Sequence, residues 1–338
     1  MKWALLVGAG GMGRTWAKNL AESPEAELAG WVDIRAGVAA QAAEELGLSG
    51  VATFDDLAKG IRESGADFVV DVTIPEAHHS VTLQALAAGL PVLGEKPMAA
   101  SMEEAREMVA ASEAAGKLYM VSQSRRYDGG ISAYRRLVRD EIGSVGILNA
   151  DFYIGAHFGG FRDAMPSPLV LDMAIHTFDA ARYISGADPV SVYAEEFNPS
   201  WSWYMGDACA TVLFTMSNGL RFCYRGSWCA EGCMTSWEST WRAVGSQGSA
   251  LWDGGAGLVA EVVEETGGFH SKTRRIEAGR EQVVGGIAGS LQEFLGALES
   301  GMTPNGECHD NIKSLAMVFA AMASSREGRR VEVAELLG

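Results

Sequence analysis

The sequence predicts an α/β chain in two parts. Residues 1–122 read as a doubly wound parallel sheet. Residues 123–338 read as an α+β domain with a large, mostly antiparallel open sheet. Three observations predict this. Short apolar runs alternate with helical stretches through the first third of the chain. After about Ser122 the strands become longer and richer in aromatic residues. The length, 338 residues, exceeds what one domain ordinarily uses and suffices for two.

The elements follow in order. Trp3 to Val7 is a compact apolar run of the kind a buried parallel strand needs. A glycine-rich turn leads into a helix over Met12 to Glu22. Leu28 to Val32 forms a second strand ending at Asp33, and the alanine-rich stretch Ala36 to Leu46 a helix. Strands Phe68–Val72, Pro91–Leu93 and Leu118–Val121 are separated by helices over Glu76–Ala88 and Met102–Ala115. In the second part, Cys209–Met216 and Leu220–Trp228 flank Ser217-Asn218-Gly219, a hairpin signal because Asn and Gly tolerate positive φ. Val190–Phe197, Trp241–Val244, Ala250–Trp252 and Val259–Glu264 extend the β pattern. Ile287–Glu299 and Asn311–Ser325 read as closing helices.

Composition narrows the function. A chain 48% hydrophobic and 21% charged is an ordinary globular protein, and no run approaches the ~18 apolar residues of a membrane span. A formal net charge of −16 repels nucleic acid and anionic lipid, so neither is expected as a partner. Any phosphate it binds must be held by a local device. The five cysteines are odd in number and include no CxxC pair, so neither a disulfide framework nor a metal site is expected. They read as reduced thiols of a cytoplasmic protein. The apolar start breaks at Gly8 after a single Lys, unlike a signal peptide.

That local device is Gly8-Ala9-Gly10-Gly11-Met12-Gly13, which fits GxGxxG with an extra glycine at 11. Gly8 permits the tight turn, Gly10 lets the backbone approach a pyrophosphate, and Gly13 lets helix and strand pack. Phosphates then meet the free N–H groups and positive dipole end of the helix. Asp33, at the end of the next strand, can accept hydrogen bonds from the ribose hydroxyls of NAD and repels the 2′-phosphate of NADP. Arg35 points the other way if it neutralises that phosphate, and is merely solvated if it does not. NAD is the expected cofactor, with NADP second.

Three further patterns carry chemistry. Glu95-Lys96-Pro97 follows the strand Pro91–Leu93, and ligands of open α/β sheets collect at the carboxyl ends of strands. Lys96 therefore reads as facing the nicotinamide region, or as a surface lysine before a turn proline. Asp172, His176 and Asp179 are spaced by four and three, which on a regular helix puts them on one face. The plain alternative is a partly buried His satisfied by a helix neighbour. Pro75 and His79 follow the strand Phe68–Val72, next to Thr73, and these three with Glu95 and Lys96 are candidates to line the cofactor.

Together, Gly8–Gly13, Asp33, Pro75/His79, Glu95-Lys96-Pro97 and Asp172/His176/Asp179 resemble the Gfo/Idh/MocA oxidoreductase family in order and approximate spacing. The tail Asp310 to Val331, with Ser324-Ser325 and Gly328-Arg-Arg-Val, resembles that family's ending. The resemblance implies an NAD(P)-dependent dehydrogenase of a sugar, inositol or related polyol. It implies a Rossmann domain followed by a mixed-sheet domain, assembled as a homodimer or homotetramer through the open sheet face. It implies that Lys96 contacts the reacting oxygen, that His176 is the acid/base and that Asp172 is its partner. Arg126, His157, Arg162 and Asp179 are further candidates for substrate contact. Some relatives use bound NAD transiently to cleave or epimerise a sugar, and others only sense nucleotides; both stay as alternatives. One departure stands out: many relatives carry a glycine run before the DxxxH segment, where this chain has Pro166-Ser167-Pro168-Leu169. Trp201, Trp203, Tyr204, Trp228 and Trp237 are candidate stacking faces for a sugar ring.

Overall fold

A computed structural model describes residues 1–338. In chain order the first eleven elements are β1 (Lys2–Val7), α1 (Gly11–Glu22), β2 (Ala26–Val32), α2 (Val38–Glu45), β3 (Ala52–Phe54), α3 (Leu57–Glu63), β4 (Phe68–Asp71), α4 (Pro75–Ala87), β5 (Val92–Gly94), α5 (Met102–Ala115) and β6 (Tyr119–Val121). Next come α6 (Gly129–Asp140), β7 (Val145–Tyr153), α7 (Ile175–Ser185), β8 (Pro189–Phe197), β9 (Cys209–Met216), β10 (Arg221–Ser227), β11 (Thr240–Gly245), β12 (Gly248–Trp252), β13 (Leu258–Glu265) and β14 (Lys272–Ala278). The chain closes with α8 (Gly286–Ser300), α9 (Cys308–Glu327), β15 (Val331–Glu332) and α10 (Ala334–Leu337).

These elements form two compact units. One comprises Met1–Ser124 and Val284–Ile312, the other Arg125–Val283 and Lys313–Gly338. The sequence boundary at 122/123 counts residues 284–312 with the second part, whereas their contacts place them in the first unit. There Phe294 of α8 packs its ring 5.3 Å from that of Phe68 on β4.

The first unit is built on a six-stranded parallel sheet in the order β3-β2-β1-β4-β5-β6. Its middle strands are apolar throughout, as burial on both faces requires: Ala4 to Leu6 and Phe68 to Val70 are fully buried. The order reverses between β1 and β4, so Val7 and Asp71 end side by side and flank a crevice. Local signals set the helices. Pro75 opens α4 at its first turn. Ser101 caps α5 by accepting from Glu104 N, and Gly116 closes it at φ 60°.

The second unit carries a nine-stranded sheet, β14-β13-β12-β11-β7-β10-β9-β8-β15, antiparallel except between β7 and β10. Alternate residues face a buried layer: Ala194, Val212, Tyr224, Ala150, Trp241 and Trp252 lie inward. The β9–β10 hairpin turns where Asn218-Gly219 predicts it, with Gly219 at φ 83°. Among the elements that the sequence reading passes over here are β14 and α6, the latter capped by Asp128, which accepts from Gly130 N and Ile131 N. Helix α6 opens on Gly129-Gly130, poor helix formers kept small because a Cβ on Gly129 would meet Glu281 O at 2.1 Å. Strand β14 is a charged, exposed edge, Lys-Thr-Arg-Arg-Ile-Glu-Ala, without apolar alternation. No helix is long and apolar enough to cross a membrane.

Candidate active site

The crevice of the first unit is formed as the glycine spacing requires. Gly8 leaves β1 at φ 105°, a conformation costly for any other residue. A Cβ on Gly13 would lie 2.1 Å from Gly8 O, so only glycine allows α1 to pack this close to the turn. Where a Cβ on Gly10 would stand there is nothing within 4 Å, leaving open space at the N-terminus of α1. No side chain caps that terminus, so its N–H groups remain available to an anion. Gly11 and Met12 are exposed on the same turn.

Asp33 bounds one end of this crevice. Its Oδ2 accepts from Ala9 N at 2.9 Å, which ties the carboxylate to the glycine turn. Arg35 lies across it, with Nε 2.9 Å from Oδ1 and Nη2 2.9 Å from Oδ2. Burial works against the charge on Asp33, but Arg35 and the two backbone N–H groups outweigh it and hold the carboxyl below its ordinary range. These residues fit NAD: open space for a pyrophosphate at Gly10, and a fixed carboxylate one strand away for a ribose.

The other end is set by β4 and β5. Glu95 is buried; its Oε1 accepts from the Trp16 indole at 2.8 Å and its Oε2 from Lys96 N at 3.1 Å. Burial pushes the Glu95 carboxyl up. The glutamate thereby links α1 to the segment carrying the half-buried Lys96. Thr73 and Pro75 follow β4, and Thr73 donates its hydroxyl to Asp71 Oδ1 at 2.6 Å.

His79 lies apart from this group: half-buried on α4, it has Nε2 2.6 Å from Glu107 of α5. Its neighbour His78 is the inward histidine, 2% exposed, with Nδ1 3.0 Å from Asp71 Oδ2. Burial disfavours its charge, but Asp71 and then Glu95 outweigh that and raise its pKa. Sequence reasoning missed His78. The available signal was Asp71 itself, a carboxylate in the apolar run Phe-Val-Val-Asp-Val that needs a buried partner.

In the second unit, Asp172 lies in a wide π-helical turn, Leu169–Ala174, and His176 in the first turn of α7. This corrects the expectation of one regular helical face. Asp172 and His176 are half-buried, whereas Asp179 is 2% exposed and faces the interior. There Asp179 forms a bidentate pair with Arg126, at 2.7 and 2.6 Å, and accepts from Ser314 Oγ. Two candidates for substrate contact thus hold each other within the core. Arg162 places Nε 2.6 Å from Asp172 Oδ2, and its guanidinium lies over the rings of Phe158 and Phe161. His157 stacks on Trp203 at 3.8 Å and pairs with Glu231 at 2.8 Å, both partners exposed.

The segment before Asp172 is clamped. Met205 N donates to Asp163 O and Asp207 N to Pro166 O, each at 2.8 Å. Between them a Cβ on Gly206 would stand 2.2 Å from both Met165 O and Pro166 O. Pro166-Ser167-Pro168 therefore enters the π turn on a fixed path. Of the aromatic candidates, Trp203 has one face covered by His157, and Trp228 and Tyr204 are buried on each other. Trp201 and Trp237 stay exposed.

Comparison with known proteins gives three results. Residues 2–123 match the family described as an oxidoreductase family with an NAD-binding Rossmann fold, and residues 131–251 match the GFO/IDH/MocA C-terminal domain. The chain is 31% identical to the uncharacterised protein y4oX of Sinorhizobium fredii, over 98% of this chain and 96% of that one. It is 27% identical to D-apiose dehydrogenase of Paraburkholderia graminis, over 84% and 77% respectively. Its fold is similar to that of an Agrobacterium radiobacter oxidoreductase solved with NAD+, L-tartaric acid and magnesium (TM-score 0.87, 23% identity, 99% of each chain).

Proposed function

The chain belongs to the Gfo/Idh/MocA family of NAD-binding oxidoreductases, and from that membership and the site geometry we infer that it oxidises a secondary alcohol of a sugar, inositol or related polyol, or reduces the matching ketone. The observation that carries this reading is the crevice at the carboxyl ends of β1, β4 and β5. Open space at Gly10, the fixed carboxylate of Asp33 and the half-buried Lys96 share that edge of one sheet. The named activity of the D-apiose relative supports the substrate class.

When bound, NAD supplies the hydride acceptor for this chemistry. Gly10 and the α1 N-terminus hold its phosphates, and Asp33 orients its ribose. His176 accepts the hydroxyl proton as the carbonyl forms, since a neutral imidazole is an available base near pH 7. Asp172 orients His176 and stabilises its protonated form. The Lys96 ammonium stabilises developing negative charge on the substrate oxygen. Arg126 and Asp179, buried on each other, position α7 without touching substrate.

The same reading extends to assembly and location. Across the open face of the second sheet, Tyr193, Leu213 and Cys223 stand in register, with Ile147 and Leu251 exposed on neighbouring strands. This face supports a homodimer or homotetramer. The five free thiols support a cytoplasmic protein. The test of function is a panel of sugars, inositols and sugar acids with NAD and with NADP, followed by absorbance of the reduced nicotinamide. Activity confined to simple aliphatic alcohols or amino acids would overturn the substrate class.

A further inference from the structure

The first unit carries a second cluster of reactive side chains at the start of α9, with no part in the reaction above. Three consecutive residues turn their donor atoms onto one point. Cys308 Sγ lies 2.9 Å from Glu307 Oε1 and 3.5 Å from His309 Nδ1, and that nitrogen is 2.7 Å from Glu307 Oε1. The point equidistant from the three lies about 1.8 Å from each. An ion ~1.2 Å above their plane would then stand about 2.2 Å from all three, within the ~2.0–2.3 Å of zinc bonds to O, N and S donors. A tetrahedral site asks only that the Glu307 oxygen draw back by less than about 1 Å from the sulfur and the nitrogen.

A separate observation concerns the far side of the imidazole. His309 Nε2 stands 2.8 Å from Glu113 Oε1, on helix α5 of the same unit. A carboxylate on the second nitrogen fixes the ring and leaves Nδ1 as the ligand atom, the arrangement that metal-bound histidines commonly have. Burial is graded in a useful way. Cys308 is fully buried, Glu307 half-buried and His309 exposed, so the sulfur is shielded from water while the imidazole meets solvent. The N-terminal dipole of α9 opposes a cation here. Two anionic donors, a third carboxylate behind the histidine and a net charge of −16 oppose the dipole.

We propose that Glu307, Cys308 and His309, backed by Glu113, form a binding site for one zinc-like divalent cation, with water as the fourth ligand. The sulfur and nitrogen donors select against magnesium and calcium, which prefer oxygen alone. On binding, the Cys308 thiol gives its proton to solvent and the metal–sulfur bond forms, with no change in oxidation state. The metal would tie the first turn of α9 to α5 in the NAD-binding unit, away from Lys96 and the glycine turn.

The test uses the full chain freed of metal by chelation and titrated with Co2+, then with Zn2+ in competition. One equivalent of Co2+ is expected, with a near-ultraviolet thiolate-to-cobalt charge-transfer band that Zn2+ abolishes. Cys308→Ser should remove the band, and the exposed His309→Asn, which leaves the core intact, should weaken binding at least tenfold. Glu113→Gln should weaken it by roughly 10–100-fold, as removal of a carboxylate behind a ligating histidine does. No band in the unsubstituted protein, or one unchanged in both Cys308→Ser and His309→Asn, overturns the site.

Discussion

Arg162 Nε donates to Asp172 Oδ2 at 2.6 Å, so the aspartate expected to serve His176 is itself held by a cation. Arg162 is in turn fixed from the other side, its guanidinium 5.0 Å from the centre of the Phe158 ring and 4.8 Å from that of Phe161. Phe158 packs 5.1 Å from the buried Trp228. Arg162, which the family resemblance offers as a further candidate for substrate contact, thus holds the aspartate proposed as the partner of His176. Arg162→Gln is expected to lower kcat by on the order of tenfold or more, since it removes the cation that fixes Asp172, the proposed partner of His176. Arg162→Lys should recover part of it, keeping charge without the planar fork. The pair is partly exposed and adds only ~0–1 kcal/mol to stability. Tm should therefore barely change, and a large fall in Tm with an unchanged kcat would assign Arg162 to the fold instead.

Lys96 and His176 carry the chemical step in the proposed reaction. Replacing either with Ala is expected to lower turnover by on the order of 10²-fold or more. NADH binding, followed by fluorescence titration, should survive His176→Ala, because His176 belongs to neither the glycine turn nor the Asp33 contact. An oxidation rate unaltered in His176→Ala between roughly pH 6 and 9 would remove it as the base.

The Asp33 carboxylate accepts from Ala9 N at the glycine turn and from Arg35, and it is expected to set cofactor choice. In Asp33→Ser the Arg35 guanidinium loses both of its carboxylate oxygens and is left to meet a 2′-phosphate. Relative affinity for NADP over NAD should rise on the order of tenfold or more. Adding Arg35→Ala should cancel that gain. If the unsubstituted protein already prefers NADP tenfold, Asp33 does not select the cofactor.

What the sequence made legible follows from how local each determinant is. The glycine turn, Asp33 and the β9–β10 hairpin are written in neighbouring residues, and the structure has them in those places. The π turn under Asp172 is not local in this sense. Nothing in Leu-Val-Leu-Asp-Met-Ala distinguishes a wide turn from a regular one, and the backbone path is imposed by Met205, Gly206 and Asp207 from another loop. The same holds for His78 and His79. Both lie near the start of α4 and differ in which one the helix turns toward Asp71. Helix α8 reads correctly as a helix, but its return to the first unit depends on Phe294 meeting Phe68, a contact spanning most of the chain. The metal-like cluster was hidden because its Glu, Cys and His match no spaced ligand motif.

Glu196 on β8 is expected to make stability fall as pH rises toward neutrality. Burial, against a hydrogen bond from Ser167, pushes this carboxyl up to about 7, and its Oε1 is buried without a hydrogen-bond partner. The sign follows from which state holds the proton. Below the ordinary glutamate range both folded and unfolded chains carry it, and the group contributes nothing. As pH rises toward 7 the unfolded chain releases the proton while the folded chain keeps it, so stability falls. Above about 7 the folded chain must ionise a buried carboxylate, and the whole penalty is present, about 3 kcal/mol at most for such a shift. Glu196→Gln keeps the shape and removes the charge. It should raise Tm at pH 8 by several degrees and leave Tm nearly unchanged at pH 5, with differential scanning calorimetry as the measurement. Because Ser167 lies between Pro166 and Pro168 on the path into the π turn, this same substitution probes whether that path needs the carboxylate. An equal Tm gain at both pH values would show that the stabilisation has nothing to do with ionisation.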